Sequence, residues 1–370
     1  AWHRCHMPVT VRRQTAHQKE GAPCAPSRTT AEDVFMKLSW QQITLPALAL
    51  GLMALGAPER VHAQAAIKID GSSTVFPISE AYAEEFQIQK RGKVRVTVGV
   101  SGTGGGFKKF CRGETDMANA SRPISVEEME SCRKAGIKYM ELPVAFDALT
   151  VVVNPANTWA KTMTVAELKK MWEPGAQGRI TTWNQVNPKF PKQKLMLFGP
   201  GADSGTFDYF TEAINGKAKA SRGDFTASED DNTLVQGVET NKSALGYFGY
   251  AYYAAHKDKL TAVAIDNGKG KGPVGPSLEN VTNGTYNPLS RPLFVYVRDT
   301  AAKRPEVREF VQFMMTNGQL VGEVGYLPLP KSAYELAWKH FQAGKLGTVF
   351  GGIPQVGITI EQLQALEGKL

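Results

Sequence analysis

Ser101-Gly102-Thr103-Gly104-Gly105-Gly106-Phe107-Lys108 follows an apolar, β-branched run, Val94–Val100, and leads into Lys109-Phe110. The run reads as a buried strand, and the segment after it continues as a helix. Strand, glycine-rich turn and helix in that order put hydroxyls and free backbone N–H groups at a helix N-terminus. The helix dipole is positive there and stabilises an anion. Glycine lets the backbone approach such an anion with no Cβ in between. The turn is not a nucleotide P-loop, because no Lys-Ser or Lys-Thr follows the glycines. A formal Gly-x-Gly-x-x-Gly occurs at Gly270-Lys271-Gly272-Pro273-Val274-Gly275. No strand leads into it and Pro273 and Pro276 oppose a helix, so it reads as a surface loop.

The layout recurs twice. A short strand at 67–70 leads into Gly71-Ser72-Ser73-Thr74-Val75-Phe76-Pro77, and Pro77 suits the first turn of a helix running to Gln89. A strand at 195–198 leads into Gly199-Pro200-Gly201-Ala202-Asp203-Ser204-Gly205-Thr206-Phe207 and a helix at 207–214. Further strands are expected at 116–120, 139–144, 149–154, 244–248 and 293–297. Helices are expected at 126–134, 165–172, 232–240, 305–315 and 332–341, and the stretch 358–366 reads as an amphipathic surface helix. Ser125 with Glu128, and Thr164 with Glu167, have capping-box spacing. Strands alternating with helices indicate an α/β fold, in which turns at the carboxyl ends of strands gather ligand-binding groups.

The 370 residues are 42% hydrophobic and 21% charged, an ordinary globular composition with room for two domains. The formal net charge is +8, and residues 1–63 hold seven Lys and Arg against four Asp and Glu. No long Lys/Arg run or basic helix face occurs, so nucleic acid is not an indicated partner. Residues 1–35 are rich in Arg, His, Pro and Thr and lack apolar periodicity. Met36-Lys37, the apolar core at 43–55 and Val61-His62-Ala63 make a secretory signal peptide, with cleavage expected after Ala63. Met36 is then the expected start, with 1–35 as upstream sequence. The apolar core is shorter than the roughly 18 residues of a membrane-spanning helix. With no Cys at the cleavage point, a free periplasmic protein is expected. Cys111 and Cys132 remain as an even pair in an exported chain, which favours a disulfide. No His/Cys cluster has metal spacing, and neither a metal nor a cofactor is expected.

The turns supply hydroxyl and N–H donors from Ser73 and Thr74, from Ser101 and Thr103, and from Ser204, Gly205 and Thr206. Arg122 is the cation at the same class of junction. Many donors with one planar guanidinium suit a small tetrahedral oxyanion, whose desolvation is costly unless nearly every lone pair is matched. Phosphate keeps a proton at neutral pH and sulfate does not, so a buried acceptor carboxylate separates the two. Asp203 and Asp147 are the candidates for that acceptor. A hydrolase is not indicated: Ser204 lies in no Gly-x-Ser-x-Gly elbow, and no His is near the turns in sequence.

Asp70-Gly71-Ser72-Ser73-Thr74-Val75-Phe76-Pro77, the Ser101–Phe107 turn, Ala120-Ser121-Arg122-Pro123-Ile124 and the Gly199–Phe207 turn together resemble the phosphate-binding proteins of Pst-type ABC transporters, in their SphX-like branch. The resemblance runs from about residue 67 to about residue 341. It implies a type II periplasmic binding fold, with two α/β lobes closing on a cleft, and handover of inorganic phosphate to a membrane permease by a monomeric receptor. It also places the backbone of Val75 or Phe76 on the ligand, beside Ser73, Thr74, Ser101, Ser204, Gly205 and Thr206, with Gly102 and Thr103 as parts of the same glycine-rich loop. Compared with the best-known branch, Arg122 replaces an Asp and Pro200 replaces an Arg. The charges have therefore moved, with Arg122 as cation and Asp203 or Asp147 as acceptor. The expected parts are a first lobe at 64–146 and 251–345, a second lobe at 147–250 and a tail at 346–370, with crossings near 143–150 and 246–252. Rival readings are a receptor for sulfate, molybdate or arsenate, and an adhesion or structural protein on the same fold.

Overall fold

The computed structural model describes residues 64–353 and 355–370. The expected signal peptide and upstream segment lie outside them. In chain order the first elements are β1 (Ala65–Gly71), α1 (Phe76–Gln89), β2 (Val94–Val100), α2 (Gly102–Cys111), β3 (Met117–Ala120), α3 (Val126–Lys134) and β4 (Tyr139–Val153). There follow β5 (Thr162–Thr164), α4 (Val165–Trp172), α5 (Trp183–Val186), β6 (Met196–Pro200), α6 (Gly205–Asn215), β7 (Thr226–Ser228), α7 (Asp231–Glu239), β8 (Ala244–Gly249) and α8 (Tyr250–Ala255). The last are β9 (Thr261–Ala262), β10 (Ala264–Asp266), α9 (Leu278–Thr282), β11 (Ser290–Arg298), α10 (Pro305–Thr316), α11 (Gln319–Glu323), β12 (Leu327–Pro328), α12 (Lys331–Ala343) and α13 (Ile360–Glu367).

The strands run β2-β1-β3-β11-β4-β8-β6-β7, and β4 belongs to both halves of this order. Its residues up to Ala148 pair with β11, and from Leu149 onward they pair with β8. Every residue of β4 is buried, as a central strand covered on both faces requires. The half β2-β1-β3-β11 with the start of β4 is the sheet of one lobe, and the end of β4 with β8-β6-β7 is that of the other. The chain passes from one half to the other within β4, between Ala148 and Leu149. After β8 the chain stays with the second lobe, where β9 pairs with the end of β4 and β10 with β5. It returns only at Ser290, opposite Ala148. Strands of two and three residues carry too little periodicity for the sequence to reveal these pairings.

Local signals set the helix starts. Ser125 and Thr164 form capping boxes with Glu128 and Glu167, and Ser204 accepts from the Thr206 N–H. A disulfide joins Cys111 at the end of α2 to Cys132 in α3. The tail is a surface helix that also docks, since Ile360 and Leu363 of α13 are buried. Among the described residues no helix is long and apolar enough to cross a membrane.

Candidate functional site

The turns before α1 and α6 come from different lobes and meet. Thr74 Oγ1 lies 3.0 Å from Thr206 Oγ1. Both are fully buried, at 0% and 1% exposure. Arg291, near the start of β11, joins them: its Nη2 lies 2.9 Å from Thr206 Oγ1 and 3.3 Å from Thr74 Oγ1. Both hydroxyls can accept from the guanidinium, which leaves at least one O–H to point at a third group. Arg291 is itself held by Asp147, its register partner on β4, through Nε at 3.2 Å and Nη2 at 2.9 Å. The other Asp147 oxygen accepts the Tyr250 N–H at 3.1 Å. Arg291 Nη1 is buried and has no partner among the described residues.

A carboxylate completes the cluster. Asp231, the first residue of α7, is fully buried, and its Oδ2 accepts from Ser73 Oγ at 3.2 Å. Its Oδ1 is buried without a partner among the described residues. Burial pushes its carboxyl up to about 7, with Asp147 adding to the rise while Arg291 and the Ser73 bond oppose it. Tyr252 Oη donates to the Ser73 carbonyl at 2.9 Å, which fixes the turn from the second-lobe side.

Beside this cluster Thr103 and Gly205 close the cleft. Thr103 Oγ1 accepts the Ser121 N–H at 3.1 Å and lies 3.2 Å from Ser121 Oγ. A Cβ on Gly205 would come within 2.4 Å of Thr103 Oγ1 and 2.7 Å of Ser121 Oγ. Gly102 opens α2 at φ +74°, against the Asp203 carbonyl, and Gly104 N–H donates to that carbonyl at 2.7 Å. The lobes are therefore in contact. Val75 is buried at the N-cap of α1, so its contribution at the turn is backbone alone.

Other expected site residues face elsewhere. Ser101 Oγ donates to Asp70, which also pairs with Lys109. The Asp203 carboxylate lies at the surface in an ion pair with Lys108, at 2.7 and 2.8 Å. Arg122 has four of its five donors engaged: Nε to Asp208 at 2.7 Å, and two bonds to Glu128 and one to the Pro123 carbonyl. Burial works against its charge, but Glu128 and Asp208 outweigh that and hold its pKa above the ordinary value. Arg122 in the first lobe thus grips Asp208 in the second. The cation bonded to the hydroxyl cluster is Arg291, and the carboxylate with a free oxygen there is Asp231. Neither was expected. Arg291 had one local signal, a lone charge in Pro288-Leu289-Ser290-Arg291-Pro292-Leu293 at the head of an apolar strand. Asp231 looked like an ordinary acidic residue at a helix start.

Comparison with known proteins bears on the family and the fold. The model of the PBP superfamily domain matches residues 57–317. The chain is 55% identical to the protein SphX of Synechococcus elongatus over 88% of this chain and 96% of that one. It is 39% identical to the phosphate-binding protein PstS of Staphylococcus saprophyticus, over 72% of this chain and 82% of that one. Among solved structures, a possible phosphate binding protein from Planctomyces limnophilus is 51% identical with a TM-score of 0.56, covering 76% of this chain and 99% of that one. An ABC-type phosphate transport receptor from Vibrio cholerae, 24% identical over 71% of this chain and 100% of that one, shares the fold with a TM-score of 0.53. The chain belongs to the PBP superfamily, in the SphX-like branch of the PstS family of phosphate-binding proteins.

Proposed function

We propose that this chain is an exported, monomeric receptor that closes its two lobes on inorganic phosphate and delivers it to the permease of an ABC transporter. One observation carries the reading. Between the lobes, a buried guanidinium with a free Nη1 and a buried carboxylate with a free Oδ1 sit among hydroxyls from two helix starts. Arg291 and Asp147 offset one another, so the ligand's charge is met by hydrogen-bond donors and the N-termini of α1 and α6. In this reading Thr74, Thr206 and Arg291 donate to phosphate oxygens, with the N–H groups of Thr74, Val75 and Gly205, while the Ser204 N–H holds the turn through the Gly201 carbonyl. Asp231 accepts the proton that phosphate keeps. Asp147 positions Arg291, and Arg122 with Asp208 latches the lobes. The names of the close relatives support the ligand and the receptor role. Binding without chemical conversion fits a family of receptors.

Calorimetric titration of residues 64–370, freed of ligand, tests the proposal. The expected result is tight one-to-one binding of phosphate, with sulfate at least about 100-fold weaker at about pH 8. Equal sulfate and phosphate affinity would point to a general oxyanion receptor. No binding of either would leave the adhesion or structural role.

Closure itself has a separate test. Gly205→Ala places a methyl where Thr103 and Ser121 now sit, so the lobes must stay apart to accommodate it. Phosphate affinity should fall at least about tenfold, roughly 1.4 kcal/mol, while the ligand-free protein keeps its fold. Small-angle scattering should then show less compaction on adding phosphate than in the parent. Parent-like affinity and compaction would contradict the closed geometry.

A further inference from the structure

The tail beyond α12 is a strap with both ends on the first lobe and its middle elsewhere. Gly347 N–H donates to the Tyr139 carbonyl at 2.9 Å, and Phe350 packs edge-on to Phe294 at 5.5 Å. At the far end α13 lies on α12, where Gln364 Nε2 donates to Ser332 Oγ at 2.9 Å. Between these anchors the Gly357 peptide is held on both sides. Its N–H donates to Tyr209 Oη at 2.9 Å, and its carbonyl accepts from Asn287 Nδ2 at 3.1 Å. Tyr209 belongs to α6 of the second lobe, and Asn287 to the segment by which the chain returns to the first. Gly357 has a φ of +72°, and a Cβ there would fall 2.2 Å from Asn287 Nδ2, so a larger residue would strain the backbone and push the Asn287 amide aside.

Tyr209 connects that grip to the ligand cluster. Its hydroxyl lies 2.6 Å from the Ser290 carbonyl and 3.1 Å from that of Pro288, and donates there. Ser290 immediately precedes Arg291, whose guanidinium carbon lies 5.7 Å from the centre of the Tyr209 ring. One side chain thus holds the backbone that carries Arg291 and lies against its charged head. Its hydroxyl links the two, donating to the returning strand and accepting from the tail. Burial pushes the Tyr209 phenol up to about 12, so it stays a donor across the ordinary pH range.

We infer that Tyr209, tied down by Gly357 of the tail, is a positioning residue that holds Arg291 ready for the anion before the lobes close. The gain is preorganisation: a guanidinium already placed loses less freedom on binding. The inference rests on the reading of Arg291 as the ligand's cation.

The test is a set of variants titrated with inorganic phosphate by calorimetry. Tyr209→Phe keeps the ring over Arg291 and removes the hydroxyl's bonds. It should weaken phosphate about tenfold in the parent and have no further effect in an Arg291→Lys background. Gly357→Ala, which moves the tail off Tyr209, should weaken phosphate similarly, and its combination with Tyr209→Phe should be no worse than either alone. Parent-like affinity of Tyr209→Phe overturns the inference. So does an equal loss in the Arg291→Lys background, which would mark Tyr209 as a support of the fold in general. Should Tyr209→Phe not fold, the cycle of Gly357→Ala with Arg291→Lys decides by the same criteria. Failure of the underlying reading looks different, because Arg291→Lys would then bind phosphate like the parent.

Discussion

Arg291→Lys should lower phosphate affinity at least about 100-fold, near 2.7 kcal/mol, while the protein remains folded. Two features separate this variant from a deletion of charge. Asp147 is fully buried with Arg291 as its ion-pair partner, so removing the cation would strand a carboxylate, at about 3–5 kcal/mol. Lysine keeps the charge that Asp147 needs. What it loses is the planar fork that reaches Asp147, Thr74 and Thr206 together and still presents Nη1. Each charge-assisted hydrogen bond forfeited is worth about 1.5–3 kcal/mol, so one or two account for the loss. Calorimetry with phosphate and a thermal melt without it check both halves. The companion variant Arg122→Lys should lose far less, because Arg122 meets Glu128 and Asp208 and not the hydroxyl cluster. A larger loss at Arg122 than at Arg291 would return the cation's role to Arg122.

Asp231→Asn should remove discrimination against sulfate, together with its dependence on pH. The sign follows from the direction of the pKa. Burial raises the Asp231 carboxyl from its usual range to about 7, so it is charged above that value and neutral below it. Arg291, Asp147 and its neighbour Asp230 are the charged groups that act on it. A charged Asp231 accepts the proton of phosphate but repels sulfate, which has none to give. A neutral Asp231 can donate to sulfate. In the parent, sulfate affinity should therefore rise as pH falls through about 7. In Asp231→Asn the amide is an acceptor and a donor at every pH. Sulfate should bind at least about tenfold more tightly than in the parent at about pH 8, with little change down to about pH 5.5. Titrations with sulfate at the two pH values decide. Sulfate affinity in the parent that does not vary with pH would exclude Asp231 as the selecting acceptor.

Groups close together in sequence were legible, and groups that tertiary structure assembles were not. The turns bearing Ser73-Thr74 and Ser204-Gly205-Thr206 announce themselves as strand, hydroxyl-rich turn and helix within a few residues, and both end in the buried cluster. The capping boxes at Ser125 and Thr164 are equally local. Arg291 meets Thr206 across 85 residues and Ser73 meets Asp231 across 158, distances at which no spacing rule operates. Arg122 shows the converse. Its place in a ligand-type junction invited a role on the anion, but Glu128 six residues on and Asp208 on the opposite lobe occupy it. Asp203 was misjudged for a similar reason. Its carbonyl makes the contact between lobes, and its carboxylate turns outward to Lys108.

The exchange of neighbours along β4 has a mechanical consequence. Asp147 and Arg291 are register partners, and β4 changes partner strands at the next peptide but one. The ion pair therefore sits on the seam of the two sheets, on the strand they share, with Thr74 reaching it from one side and Thr206 from the other. A hinge through that seam would move the berth least and the two walls most.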